Sequence, residues 1–150
     1  MEILDMTEAY VPAVAALEAA CISEPWSKNQ IRAELTNPWA LWLVALEDGA
    51  LAGYLGVEYG PDGGTVVSVT TDPAFRRKGA ARALFGTMNR RLRAMDLESL
   101  TLEVRPSNLP ARTLYASLGF REVGRRPKFY RKPTEDAILM TMYYKEEGSC

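Results

Sequence analysis

The chain has 150 residues, 47% of them hydrophobic and 25% charged, with a net charge of −1. That is enough apolar material for one domain with a real core, and it lacks the positive excess that would draw the whole molecule to nucleic acid. It contains no histidine, and its only cysteines are Cys21 and Cys150. These absences exclude Ser-His-Asp and Cys-His nucleophile pairs, histidine metal sites and a disulfide framework, so no metal is expected and acid–base work falls to carboxylate, tyrosine, lysine or water.

The opening MEILDMTE is acidic, and no run approaches the ~18 apolar residues of a membrane span, so a soluble, cytoplasmic protein without a membrane partner is expected. A short strand around Ile3-Leu4 precedes a helix with Thr7 as its cap and Pro12 in its first turn. Tyr10, Val14, Leu17 and Cys21 recur at helical spacing, which makes Cys21 an expected core residue. In a second helix, Ser27 and Gln30 have the spacing of a capping box, Trp26 and Ile31 that of the hydrophobic staple around it, and Asn37-Pro38 is the stop. Ala40 to Glu47 and Leu51 to Tyr59 read as a hairpin about the Asp48-Gly49 turn, and Gly60 to Gly64 turns the chain into a third antiparallel strand.

That strand runs into VVSVTTDPAFRRKGAAR, residues 66–82, which orders a buried strand, a break at Asp72-Pro73, and a basic glycine-bearing turn opening into a helix. The first turn of a helix carries amides without intrahelical partners and about half a positive charge. Gly79 lets an anion approach the backbone, and Arg76, Arg77, Lys78 and Arg82 supply countercharge, so the implied ligand is a polyphosphate. Neither a Walker loop nor a dinucleotide fingerprint is present. By itself Arg76-x-x-Gly79-x-Ala81 also suits an ordinary surface helix that begins with a basic run. The helix sets Ala81, Leu84, Phe85, Met88, Leu92 and Met95 on one stripe, with Arg90, Arg91 and Arg93 on a solvated face.

From Ser99 the pattern is again a strand, with Leu100, Leu102 and Val104 on one side and Ser99, Thr101 and Glu103 on the other. Asn108 suits the cap of the next helix, Pro110 its first turn and Gly119 its left-handed exit, with Tyr115 about two turns in, beside core-facing Leu114 and Leu118. The helical crossover between them makes this strand parallel to Val66–Thr71, so both helix-bearing strand ends open on one edge. Glu103 also suits a solvated strand residue, and Tyr115 core packing. Phe120 to Val123 and Asp136 to Tyr144 read as closing strands. The loop between them, residues 125–133, is basic with two aromatics and reads either as a nucleic-acid patch or as a lid over a substrate groove. Lys145 to Cys150 is expected to be a disordered tail with a mobile thiol.

Taken in order, these pieces resemble the GNAT superfamily of acetyl-coenzyme A-dependent N-acetyltransferases, and within it the ribosomal-protein-alanine N-acetyltransferases. The matching residues are Pro25-Trp26-Ser27, Asp72-Pro73, Arg76-Arg77-x-Gly79, Leu102-Glu103-Val104-Arg105-x-Ser107-Asn108, Leu114-Tyr115-x-Ser117-Leu118-Gly119-Phe120 and Asp136-Ala137-Ile138-x-Met140. The resemblance implies a single α/β (α+β) domain over residues 1–150, with about four helices around a mixed, mainly antiparallel sheet splayed between its fourth and fifth strands. It implies acetyl-coenzyme A as cosubstrate, held by Val69, Thr70 and Thr71 along its pantetheine arm, by Arg76, Arg77, Lys78, Gly79, Ala80, Ala81 and Arg82 at its pyrophosphate, and further along by Asn108. Glu103 is implied as general base through water, and Tyr115 as the acid for the leaving thiolate. The acceptor implied is a protein or peptide N-terminus, the alanine of a small-subunit ribosomal protein. Trp26 and Tyr130 are the candidates for contacting it, the resemblance favours a lid over a nucleic-acid patch, and a monomer or weak dimer is expected. Val69-Thr70-Thr71 departs from the usual apolar strand end, which bears on the peptide slot. Lysine or small-amine acetylation is the alternative chemistry, and a non-catalytic acyl-coenzyme A sensor the alternative class.

Overall fold

Local signals set most element boundaries in residues 1–144, the part of the chain that the computed structural model describes; the predicted tail lies outside the described residues. β1 (Glu2–Asp5) leads through a 3-10 turn at Glu8–Tyr10 into α1 (Val11–Cys21). Thr7 stands before that turn in extended backbone but makes no side-chain cap, so the α-helix starts later than its cap residue predicts. Pro12 sits in the first turn, where its missing N–H costs nothing. Before α2 (Lys28–Glu34), both halves of the capping box form: Gln30 N donates to Ser27 Oγ at 3.1 Å and Ser27 N to Gln30 Oε1 at 2.8 Å.

β2 (Ala40–Glu47) and β3 (Ala50–Tyr59) form the predicted hairpin, turning through positive φ at Asp48 and Gly49 as a tight two-residue loop demands. β4 (Gly63–Thr71) follows, then a 3-10 turn at Pro73–Phe75, α3 (Ala80–Ala94), β5 (Ser99–Val104), α4 (Leu109–Leu118), β6 (Arg121–Tyr130) and β7 (Glu135–Tyr143). Asn108 Oδ1 accepts from Ala111 N to cap α4, and Gly119 ends it at φ 106°.

The strands form one sheet in the order β1-β2-β3-β4-β5-β7-β6. Every pairing is antiparallel except β4 with β5. One face packs against α3 and α4 through a core that includes Leu43, Leu55, Leu84, Phe85, Leu100, Tyr115 and Ile138. The other packs against α1 and α2 through Val11, Val14, Ile31, Trp42, Val44 and Tyr54. Gly56 lies opposite Trp42, and a Cβ there would come within 2.4 Å of the indole, so only glycine lets that ring lie across β3. No helix among the described residues is long and apolar enough to cross a membrane.

Three expectations are corrected. The buried stripe of α3 runs through Ala80 rather than Ala81, and Met95, at the helix's C-cap, is exposed. Cys21 is exposed rather than in the core, because α1 turns Val11, Val14, Leu17 and the buried Glu18 inward and leaves Cys21 at the rim. The segment 125–133 is not a loop: β6 continues to Tyr130 along β7, with register irregularities, and only the residues after it turn. Strand pairing captures this mixed, basic sequence because an edge strand needs partners on one side only, and its solvated faces accept charge.

The parting of the sheet is what positions the site. β4 and β5 pair only at Gly63–Thr65 with Ser99–Thr101. Beyond Thr65, β4 keeps its pairing with β3 alone. The β3–β4 register shifts at Gly56/Val57, leaving Val67 without an opposite residue, and such a bulge bends the strand that carries it. α3 and α4 begin on either side of the gap that results.

Candidate active site

A cleft of about 610 Å³ opens where β4 and β5 part. Its floor is the end of β4, Val69 to Thr71; one wall is the loop and first turn of α3, and the other is α4 with Asn108 and Tyr115. From Val66 on, the edge of β4 that faces β5 has no strand partner, so its peptide groups are available to an extended ligand with amides of its own.

The α3 wall is basic and presents open backbone amides. Gly79 takes φ +81° at the N-cap, offers no side chain to the first-turn amides, and has nothing within 4 Å of where a Cβ would stand. The N–H groups that open α3 are therefore uncapped, beside Arg76, Arg77 and Arg82. Among the described residues lining the cleft there are arginines and no carboxylate. Arg82 also crosses to α4, where its Nη2 donates to Ser117 Oγ at 2.8 Å, tying the two walls together. Ala80 and Ala81 line the cleft, whereas Lys78 is exposed and does not. A diphosphate fits these residues through backbone amides, guanidinium charge and an open glycine.

Tyr115 is the most deeply placed residue of α4, 8% exposed, its ring edge-on to Phe85 and Phe120. Burial pushes its phenol up to about 12, so at neutral pH it keeps its proton. Glu103 lies on β5 opposite Leu139 of β7, on the side of the strand away from Leu102 and Val104. Its carboxylate is half-buried, with Arg126 Nη1 at 3.7 Å as its nearest cation. Tyr130, at the end of β6, is also raised to about 12, first by burial and then by the charge of Glu103, with Tyr115 and Glu135 adding to it and Arg105 opposing it. Glu103, Tyr115 and Tyr130 are thus within electrostatic reach of one another, on three different elements.

Trp26 is placed elsewhere. Its ring is half-buried, edge-on to Trp42 at 5.7 Å, and belongs to the core under α1 and α2 rather than to the cleft. Thr70 is equally informative. It lies 8% exposed on the α1 face, with Oγ1 3.1 Å from the Tyr54 hydroxyl, so the polar side chain that the sequence places at the strand end points into a buried network. The hub of that network, Glu18, was not singled out in the sequence. Its carboxylate is 1% exposed and accepts from Tyr54 Oη and Ser68 Oγ at 2.5 Å and from Trp26 N at 3.0 Å. The available signal was a lone carboxylate on the apolar face of a helix, a residue type almost never buried without partners. Cys21 and Ile22 line the cleft where α1 ends. Among the described residues no group of side chains is placed to hold a metal ion.

Known proteins share this chain's sequence family and fold. The sequence matches the model of the acetyltransferase (GNAT) family over residues 11–120. A Bacillus subtilis protein is 34% identical over 134 residues, covering 89% of each chain. The [ribosomal protein bS18]-alanine N-acetyltransferase of Escherichia coli K12 is 31% identical over 136 residues, covering 88% of this chain and 90% of its own. The crystal structure of the ribosomal-protein-S18-alanine N-acetyltransferase from Escherichia coli superposes with a TM-score of 0.88 at 29% identity, over 99% of this chain and 96% of that one.

Proposed function

The chain belongs to the acetyltransferase (GNAT) family and is an acetyl-coenzyme A-dependent N-acetyltransferase, and on that premise we propose that it acts as a single domain on the α-amino group of a protein N-terminus. The acceptor proposed is the N-terminal alanine of a small-subunit ribosomal protein, as the names of the Escherichia coli relatives suggest. The observation that carries this reading is the gap between β4 and β5, with uncapped amides at one wall and the buried Tyr115 phenol at the other.

In this reading the diphosphate of the cosubstrate sits on the amides of residues 77–82 with Arg76, Arg77 and Arg82 around it. The pantetheine amides pair with the free edge of β4 at Val69 to Thr71, and Asn108 meets the cosubstrate further along. The acceptor amine attacks the thioester carbonyl directly while both substrates are bound, so a C–N bond forms as the C–S bond breaks. Glu103 takes the amine proton through a water, and Tyr115 returns a proton to the leaving thiolate. Tyr130, held beside Glu103, borders the acceptor.

Acid–base arithmetic favours an α-amine. With a pKa of ~7.7–8.0 it is neutral in roughly one molecule in ten at pH 7, whereas a lysine amine near 10.4 is neutral in only a few per ten thousand, a difference of about 3.5 kcal/mol. A single carboxylate working through water suits the first better. The test is turnover of an alanine-starting peptide by Glu103→Gln and Tyr115→Phe. Each should lower the rate ~100-fold or more with cosubstrate binding intact. Unchanged turnover in both overturns the assignment, and faster acetylation of a lysine side chain than of the peptide α-amine redirects it to Nε chemistry.

A further inference from the structure

Just past β5, the Arg105 guanidinium reaches into two segments that are distant in sequence. Nη1 donates to Pro133 O at 2.8 Å and meets Glu135 Oε1 at 3.4 Å, and Nη2 donates to Arg131 O at 2.8 Å. Nη2 also donates to Ser23 Oγ, at 3.4 Å, in the connection between α1 and α2. The guanidinium carbon lies over the Tyr130 ring, 4.4 Å from its centroid. Glu135 completes the arrangement by accepting from Ser107 N at 3.1 Å and Ser107 Oγ at 2.6 Å, and the Ser107 hydroxyl, with Arg105 beyond it, holds the Glu135 carboxyl below its usual range.

We propose that Arg105 is a positioning residue that sets the acceptor entrance, clasping the α1–α2 connection and the β6–β7 turn to the end of β5 and fixing Tyr130 beside Glu103. The connection it holds at Ser23 starts from Cys21 and Ile22, which line the cleft, and the turn it holds follows directly on Tyr130. Both carbonyls it satisfies belong to that turn, which has no ladder bonds between Tyr130 and Glu135. Only arginine fits the role. Its planar fork serves two carbonyls, a carboxylate and a hydroxyl while its face stacks on a ring, whereas lysine offers one compact charge with no face. None of these contacts touches the α3 wall, so the clasp leaves the proposed diphosphate seat alone and acts first on the acceptor side. This inference rests on the proposed acceptor side of the cleft.

The experiment uses the full chain with Arg105→Lys and Glu135→Gln. Arg105→Lys should raise KM for an alanine-starting peptide ~10-fold or more while KM for acetyl-coenzyme A stays within about 2-fold and kcat falls less than KM rises. The clasp orders segments that border the acceptor and touches none of the reacting atoms, so its loss removes binding common to ground and transition states. Glu135→Gln, which keeps both carbonyl contacts, should move peptide KM in the same direction by less. Amide hydrogen exchange needs no acceptor. In Arg105→Lys it should quicken in residues 22–26 and 131–134 and stay unchanged in 79–82. Equal rises in both KM values, or unaltered exchange in both segments, overturn the clasp. Quickened exchange with no α-amine turnover by the unsubstituted protein leaves the clasp standing and removes the Nα reading instead.

Discussion

The hydroxyl of Tyr54 donates a 2.5 Å hydrogen bond to the carboxylate of Glu18, joining residues 36 apart in sequence across the interface of α1 with the sheet. Ser68 and the Trp26 amide donate to the same carboxylate, so one buried group fixes the end of α1, the start of the α2 cap and the pleat of β4 that floors the cleft. Burial, and the carboxylate it bonds, hold the Tyr54 phenol well above its usual range.

Glu18→Gln keeps the side chain's size but replaces a charged acceptor with a weaker one and introduces an amide donor among donors. Hydrogen bonds to charged groups contribute about 1.5–3 kcal/mol each, so a loss of roughly 2–3 kcal/mol and a Tm lower by about 5–10 °C are expected in a domain of this size. Thermal unfolding followed by circular dichroism checks it; an unchanged Tm would remove Glu18 as the hub.

Thr70→Val separates stability from substrate binding. The Thr70 hydroxyl faces Tyr54 and not the gap, so its loss should cost about 1 kcal/mol of stability and leave both KM values within about 2-fold. A selective change in peptide KM would show that this side chain shapes the acceptor slot after all.

Gly79→Ala should weaken cosubstrate binding in a protein that still folds. Space for the methyl is open, but φ +81° is left-handed and costs an alanine about 1–2 kcal/mol. The same Cβ intrudes where a diphosphate approaches the amides, so KM for acetyl-coenzyme A should rise ~10-fold or more, with peptide KM changing less. Initial-rate kinetics with each substrate varied decide it.

The pH profile reports on Tyr115. Its phenol is raised by burial from 10.0 to about 12, so the neutral donor persists through the alkaline range. kcat/KM for the peptide should climb as the acceptor amine loses its proton near pH ~8 and then stay level, without a falling limb near 10. A raised folded pKa also fixes the sign for stability: the contribution is complete below about pH 10 and is lost as pH rises through about 12. A descending limb between pH 9 and 10 in the unsubstituted enzyme that disappears in Tyr115→Phe would show that burial does not hold the phenol near 12, and an unaltered profile and rate in Tyr115→Phe would remove it as the acid.

Much of this molecule is fixed by interactions a few residues long, and that part is legible in the sequence. Ser27 with Gln30, Asp48 with Gly49, Asn108 with Ala111, and Gly119 act within one turn of chain, so their residue types alone place the ends of α2, β2, α4 and their neighbours. The alternation of β5 and the glycine-led start of α3 likewise declare a strand carrying Glu103 and a helix whose first-turn amides are left open. What only the tertiary structure decided depends on partners far along the chain. The extension of β6 to Tyr130 needs β7 beside it, and the exposure of Cys21 follows from which side of α1 meets the sheet. Glu18 with Ser68, and Arg105 with Ser23, lie 50 and 82 residues apart. No local pattern encodes such pairs, because a buried carboxylate or a bridging guanidinium gains its role only when folding removes water and brings its partners within 3 Å or so of it.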